Sequence, residues 1–407
     1  MQNPTADHAP PDSPAARAQL DLLKRLTAIP TASGRESRVA AFVRAWVSDR
    51  PALRLTQDPV GNLVIAFADA PPAGRQAPLM VTAHTDHPAF VVERVIGPGT
   101  VEVSFRGGVM DAFFDHAPIR LITADDRPID ATLTGKAPSG TPAGAHYTAE
   151  LRSGGTADVR VGDIGLWPLD DPRIDRDGLL HAPACDDLAG AAAALCMLDA
   201  LLAHRAAGPA QPQAPSVRVL LTRAEEIGFL GAIAACKHGT IPAGARVIAL
   251  ENSPALPEAP VGAGPIVRVG DRISVFTPWL TAACAARAEE ALGRRSVPWQ
   301  RRLMTGGACE ASVFCRAGLD ATCLCLPLGN YHNMPHLAQL RDGTYDAARL
   351  GPPRAAHEFI HTRDYLGLVE LLFALALSPP EPGLSNGPSG ERFERLYAER
   401  AYVLSER

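Results

Sequence analysis

His84 and Asp86 stand just past the apolar run 79–81, and Glu225 and Glu226 just past the run 217–221. Glu251 directly follows the run 247–250, and His332 lies just past 323–326. In open α/β sheets, ligands bind outside the carboxyl ends of strands, so these strand ends would deliver carboxylates and imidazoles to one crevice. Packed carboxylates repel unless protons or cations compensate, which makes a metal site the natural reading. Asp186 and Asp187 open an alanine-rich segment of helical spacing. A carboxylate at a helix N-terminus is favoured and rigidly held, so Asp186 is a candidate to bridge two cations. Imidazole and carboxylate ligands without thiolate suit zinc or cobalt better than calcium.

The adjacent pair Glu225-Glu226 divides into two roles. Neighbouring side chains on an extended segment point opposite ways, so one can ligate while the other, after a local turn, faces a metal-bound water and takes its proton. Each residue alone has a plainer reading. A Glu-Glu pair is usually solvated, an Asp-Asp before a helix is usually a cap, and a single histidine is usually a packed one. The set, placed at strand ends, outweighs them. His87, His116, His181, His336 and His361 are read as surface or packing residues, with His87 the first exception. Cys185 and Cys309 would pack as small hydrophobes near the site.

The elements that must position these groups alternate strand and helix. Apolar spacing predicts helices over 20–49 broken at Pro30 and Gly34, and strands at 62–67 and 79–83. From about 90 to 169 short β-rich runs (91–95, 101–105, 119–122, 131–133) read as an inserted small β-domain. Helices at 188–202, 230–236, 278–292 and 364–377 then alternate with strands at 217–221, 247–250 and 321–326, which is the pattern of an α/β layered sheet. The Gly-rich segment 262–270 lacks a Lys-Ser/Thr ending and is read as a loop. The expected division is a disordered segment 1–19, a discontinuous catalytic domain 20–88 and 176–378, the β-domain 89–175, and a tail 379–407 that is rich in Pro, Gly and Ser and then charged and helical. No internal repeat is present.

The 407 residues are 46% hydrophobic and 20% charged with net charge −5, ordinary globular values that give no sign of nucleic acid or a membrane surface as partner. The polar, proline-rich start lacks a signal-peptide core, and the apolar stretch 366–377 is too short to span a bilayer. The eight cysteines form no metal-type Cys-x-x-Cys pair, and reduced buried thiols suit the cytoplasm.

Residues 83–90 (A-H-T-D-H-P-A-F), 185–190 (C-D-D-L-A-G) and 222–232 (T-R-A-E-E-I-G-F-L-G-A) together resemble the signature blocks of the tetrahedral, or glutamyl, aminopeptidases, also mislabelled endoglucanase M, within the di-zinc exopeptidase clan. The ordered set, with a β insertion between the first two blocks, spans about 20–377. The resemblance implies a mixed α/β zinc-exopeptidase fold and an aminopeptidase acting on short peptides. It implies His84, Asp186, Glu226, Glu251 and His332 as ligands of two divalent ions, Zn2+ or Co2+. It also implies Glu225 as general base, Asp86 as support for His84, and a cis peptide between Asp186 and Asp187. The β insertion would mediate contacts in a homo-oligomer. The chain departs from the family in having Glu251 and Glu310 for aspartates, His87 for a glutamate, and about two dozen extra residues between His332 and Glu358. Those extra residues, 333–356, would sit beside the site and leave His357 as an alternative last ligand. A carboxypeptidase or N-acyl amino acid deacylase on the same core, or a non-catalytic assembly protein retaining the fold, are the rival readings.

Overall fold

The computed structural model describes residues 13–70, 77–152, 158–208, 216–382 and 388–404. Residues 1–12 of the expected N-terminal segment lie outside them. Residues 14–19 belong to the first helix, because Pro14 is suited to a first helical position and the Ser13 hydroxyl accepts the Ala16 N–H at 3.1 Å. The chain runs through α1 (Pro14–Thr27), α2 (Ser37–Ser48), β1 (Leu53–Gln57), β2 (Leu63–Phe67) and β3 (Leu79–His84). It then forms β4 (Ala89–Gly97), β5 (Thr100–Arg106), β6 (Pro118–Ile122), β7 (Pro128–Thr141), β8 (Gly144–Leu151) and β9 (Ile164–Leu166), which close a barrel in the order β4-β5-β8-β7-β6-β9.

Next come β10 (Arg173–Ile174), β11 (Leu179–Ala182), α3 (Leu188–Ala207), β12 (Val217–Thr222), α4 (Leu230–Lys237), β13 (Arg246–Pro254) and β14 (Ile266–Gly270). The remainder is α5 (Pro278–Ala291), β15 (Gln300–Leu303), α6 (Glu310–Arg316), β16 (Asp320–Leu328), α7 (Leu337–Arg341), α8 (Ala347–Leu350), β17 (Glu358–His361), α9 (Thr362–Leu377) and α10 (Pro388–Arg400).

The main sheet has eight strands in the order β1-β2-β12-β3-β13-β16-β14-β15, with β12, β3, β13 and β16 mutually parallel. Such strands are covered on both faces and read as unbroken apolar runs. Alternate residues serve opposite layers. Leu79, Val81 and Ala83 pack with α3 and α9, while Met80 packs with Ala232 and Ala235 of α4 and Phe314 of α6. α3 is the one helix among the described residues that is long and apolar enough to cross a membrane, and 67% of its most apolar window is buried in this core.

Parallel register decides where the chemistry lands. Thr222 stands opposite His84, and Glu251 opposite Cys325, so the ends of β3, β12, β13 and β16 share one margin of the sheet.

A further expectation is corrected. The segment 262–270 is a loop only at its start, where Gly262 and Gly264 donate to the Asp364 carboxylate at 2.7 Å each. Its second half is β14, because Ile266 and Val267 are fully buried and pair antiparallel with β16. The charged stretch of the tail forms the helix α10, as expected. The barrel core is aromatic: Phe90, Phe105, Phe114, Tyr147 and Trp167 pack together, with Phe114 and Tyr147 stacked at 4.5 Å.

Candidate metal centre

His84 ends β3 and is 1% exposed. Its Nδ1 faces the Asp86 carbonyl oxygen at 3.2 Å, an acceptor only, so Nδ1 carries a proton and Nε2 is the ring atom turned towards the site. That Nε2 lies 3.3 Å from Asp186 Oδ1. His332 repeats the arrangement. Its Nδ1 donates to the Gly108 carbonyl at 2.7 Å, and its Nε2 lies 3.6 Å from Asp186 Oδ2 and 3.3 Å from Glu226 Oε1. Gly108 follows β5, so the barrel reaches the site.

Asp186 joins two clusters. His84, Asp186 and Glu251 form one, and Asp186, Glu226 and His332 the other, with ligand-type atoms within 4.8 Å of one another in each. His84, Glu225 and Glu226 form a third such group. Asp186 Oδ1, Glu226 Oε1 and His332 Nε2 are buried without a hydrogen-bond partner. Buried polar atoms are almost always satisfied, so convergent acceptors left open fit divalent cations well.

The charges argue the same way. Burial pushes the carboxyls of Glu251 and Glu225 well above the usual carboxylate range, and neighbouring acids add to it. Burial opposes a charge on His84 and on His332, but the surrounding carboxylates overcome it and raise both rings well above 6.5. Burial would also raise Asp186, yet the two imidazoles hold it low. Behind the site, burial lifts the Glu310 carboxyl to about 7.

Local structure holds the ligands. The Asp86 carboxylate accepts the Ser33 hydroxyl at 2.6 Å and the backbone N–H groups of Glu225 at 3.0 Å and Glu226 at 3.1 Å. Glu36 accepts Ala224 N–H at 3.0 Å and Arg223 Nε at 2.7 Å, fixing the loop after β12 from the other side. Ala224, Phe229 and His332 all have left-handed backbone (φ 51°, 60° and 53°), strain of the kind that concentrates at working sites. A cis peptide joins Asp186 to Asp187.

The profile of the M42 glutamyl aminopeptidase family matches residues 61–347, well over half of the chain. The chain belongs to the M42 glutamyl aminopeptidase family. Membership makes it a metal-dependent aminopeptidase. No curated protein sequence matches it. Solved structures share the fold at low identity. The TET aminopeptidase of a marine sediment thaumarchaeon is 18% identical over 89% of this chain and 97% of its own, with a TM-score of 0.69. An aminopeptidase of Desulfurococcus kamchatkensis is 19% identical over 88% of this chain and 94% of its own, with a TM-score of 0.67. The Pyrococcus horikoshii TET1 peptidase, described as assembling into a tetrahedron or a large octahedral shell, is 18% identical over 88% of this chain and 99% of its own, with a TM-score of 0.66.

For this M42 chain the structure brings His84, Asp86, Asp186, Glu225, Glu226, Glu251 and His332 to one place. His357 is elsewhere, with its Nε2 2.9 Å from the Asp170 carbonyl oxygen. His87 is neither a surface nor a plain packing residue. It is buried, with Nδ1 2.8 Å from the Asp186 carbonyl and Nε2 3.0 Å from Asn333 Oδ1.

Sequence reasoning gave no role to Glu358. Its carboxylate accepts the N–H groups of Cys185 at 2.7 Å, Asp186 at 3.1 Å and His332 at 2.8 Å, tying together two segments that carry candidate ligands. Nor did it find Ser33 or Gly108. Each acts through one long-range contact that leaves no local pattern.

Proposed function

We propose that this M42 aminopeptidase removes N-terminal residues from short peptides with Glu225 as general base beside two divalent cations, zinc or cobalt. His84, Asp186 and Glu251 would hold one ion, and Asp186, Glu226 and His332 the other. The observation that carries this is the carboxylate of Asp186, buried and shared by two imidazole-carboxylate clusters whose facing atoms lack hydrogen-bond partners. When bound, the ions supply positive charge that acidifies water and polarises the scissile carbonyl.

The protein's own groups do the rest. Glu225, only 8% exposed, would take the proton of the attacking water and return it to the leaving amine. Burial raises its affinity for protons, the direction a base that accepts a proton needs. Asp86 orients His84 and the backbone of the Glu225-Glu226 turn, and the Gly108 carbonyl orients His332.

The test is a panel of aminoacyl chromogenic amides offered to protein loaded with zinc or cobalt. Hydrolysis of free-amine substrates and not of N-blocked ones supports the reading and separates it from a carboxypeptidase or deacylase. No turnover of any member, with metal shown to be bound, rejects it. A homo-oligomer with contacts through the barrel, and a cytoplasmic location for the eight free thiols, complete the proposal.

A further inference from the structure

The cleft before the metal centre holds two cationic side chains that peptide hydrolysis at the ions does not require. It encloses about 510 Å3, with Glu225, Glu226 and His332 on its walls together with Arg272 and Arg341. Both arginines are exposed, and among the described residues neither guanidinium meets a carboxylate or another side-chain partner.

Each stands on its own anchored support. Arg272 sits in a turn built around buried Asp271, whose Oδ1 accepts the N–H groups of Ile273 and Ser274 at 2.8 Å each. Asp271 Oδ2 accepts the Ser312 hydroxyl at 2.6 Å and the Cys309 N–H at 3.1 Å, so the neighbouring acid is fully engaged away from Arg272. The Arg272 N–H donates to Gly307, itself part of the cleft, at 3.1 Å. Arg341 ends α7, inside the extra segment between His332 and Glu358. That segment is pinned where it starts and ends: Asn333 Nδ2 donates to the Pro183 carbonyl at 2.9 Å and to Ala356 at 3.0 Å, and Met110 N–H donates to Met334 Sδ at 3.4 Å.

We propose that Arg272 and Arg341 form a carboxylate subsite that holds a short peptide by an anionic group remote from the scissile bond. The proposal rests on the aminopeptidase reading above. A short peptide carries an ammonium at one end and a carboxylate elsewhere. The ammonium end goes to the metal centre in an aminopeptidase, which leaves the negative charge to be met further along the cleft. A planar guanidinium matches a carboxylate with two parallel hydrogen bonds, and two such groups without counter-charge leave a wall that an anion neutralises. The carboxylate has two sources, the C-terminus of a di- or tripeptide or the side chain of an acidic residue.

The experiment uses the zinc-loaded Glu225→Gln protein, so that affinity is read without turnover. Calorimetry compares three tripeptides: a neutral one as the free acid, the same one as its C-terminal amide, and an amide carrying a glutamate side chain. One carboxylate-bearing peptide should bind about tenfold tighter than the neutral amide. A gain confined to the free acid assigns the C-terminus, and a gain confined to the acidic amide assigns the side chain. The advantage should vanish when Arg272→Gln and Arg341→Gln are added, and Arg341→Glu should turn it into a penalty. Equal binding of all three peptides, or a preference that survives both glutamine substitutions, overturns the subsite. Hydrolysis of the neutral amide by the unsubstituted protein reports separately on the aminopeptidase reading. Loss of that hydrolysis with an intact carboxylate preference would remove the reaction and leave the subsite.

Discussion

Asp86 accepts the backbone N–H of Glu225 at 3.0 Å, so the residue beside one candidate ligand fixes the main chain of the candidate base. The second oxygen of the same carboxylate holds the N–H of Glu226 at 3.1 Å and the Ser33 hydroxyl at 2.6 Å. Burial alone would favour protonation of Asp86, yet these donors and His84 hold it below the usual carboxylate range. It therefore acts as a permanent anion around which the turn is built.

Replacing Asp86 by Asn exchanges one acceptor oxygen for an amide NH2 facing a backbone N–H. We expect kcat/KM to fall by about 10–100-fold, the usual cost of losing the group behind a metal ligand. Steady-state kinetics together with metal analysis measures this. An unchanged kcat/KM would show that Asp86 does not position the turn.

Glu225→Gln keeps the shape of the side chain and removes its proton affinity. Turnover should fall by at least ~100-fold while metal content stays at that of the parent protein. A variant that still turns over at the parent rate moves the base elsewhere. A variant that loses metal instead makes Glu225 a ligand.

Stripping the metal should abolish activity and make stability fall with rising pH. In the metal-free fold burial and neighbouring acids raise the carboxyls of Glu225 and Glu251 above their ordinary 4.5. Burial opposes it, but the carboxylates around them raise His84 and His332 above 6.5. A group raised in the fold stabilises fully below its unfolded pKa and loses that contribution as pH rises through its folded pKa. All four therefore act in one direction. The melting temperature of chelated protein should drop as pH rises above the ordinary 4.5 of the carboxyls and 6.5 of the imidazoles, and added zinc should restore it. A flat profile for the chelated protein would contradict the burial of this cluster.

The barrel has an acid-sensitive element of the opposite sign. Glu102 is held to about 2 by hydrogen bonds from Ser139 first, then His146 and Arg94. A depressed acid stabilises fully above its ordinary 4.5 and loses that contribution as pH falls towards about 2. Glu102→Gln should cost about 1–2 kcal/mol at neutral pH, discounted for the exposure of Arg94. The difference from the parent should shrink below about pH 4, as read by urea unfolding at several pH values. An equal difference at pH 3 and pH 7 would place the effect in packing rather than charge.

The sequence by itself determined the four central parallel strands of the core and what stands at their ends. Buried parallel strands must be apolar throughout, so 79–83, 217–221, 247–250 and 321–326 announce themselves, and the polar residue after each run is conspicuous. The alanine-rich helix behind Asp186 is legible for the same local reason. Only the tertiary structure decided which ends meet. The neighbouring order β12-β3-β13-β16 is a set of pairings between segments far apart in the chain, and it places Thr222 opposite His84 and Glu251 opposite Cys325. The choice of His332 over His357 turned on a loop whose backbone is held by Glu358 and whose ring is held by Gly108 from the barrel. Strand β14 escaped notice because its flanking glycines suggest a loop, while its pairing with β16 comes from residues more than fifty positions away. Local periodicity reports how a segment is buried; long-range contacts decide what it is buried against.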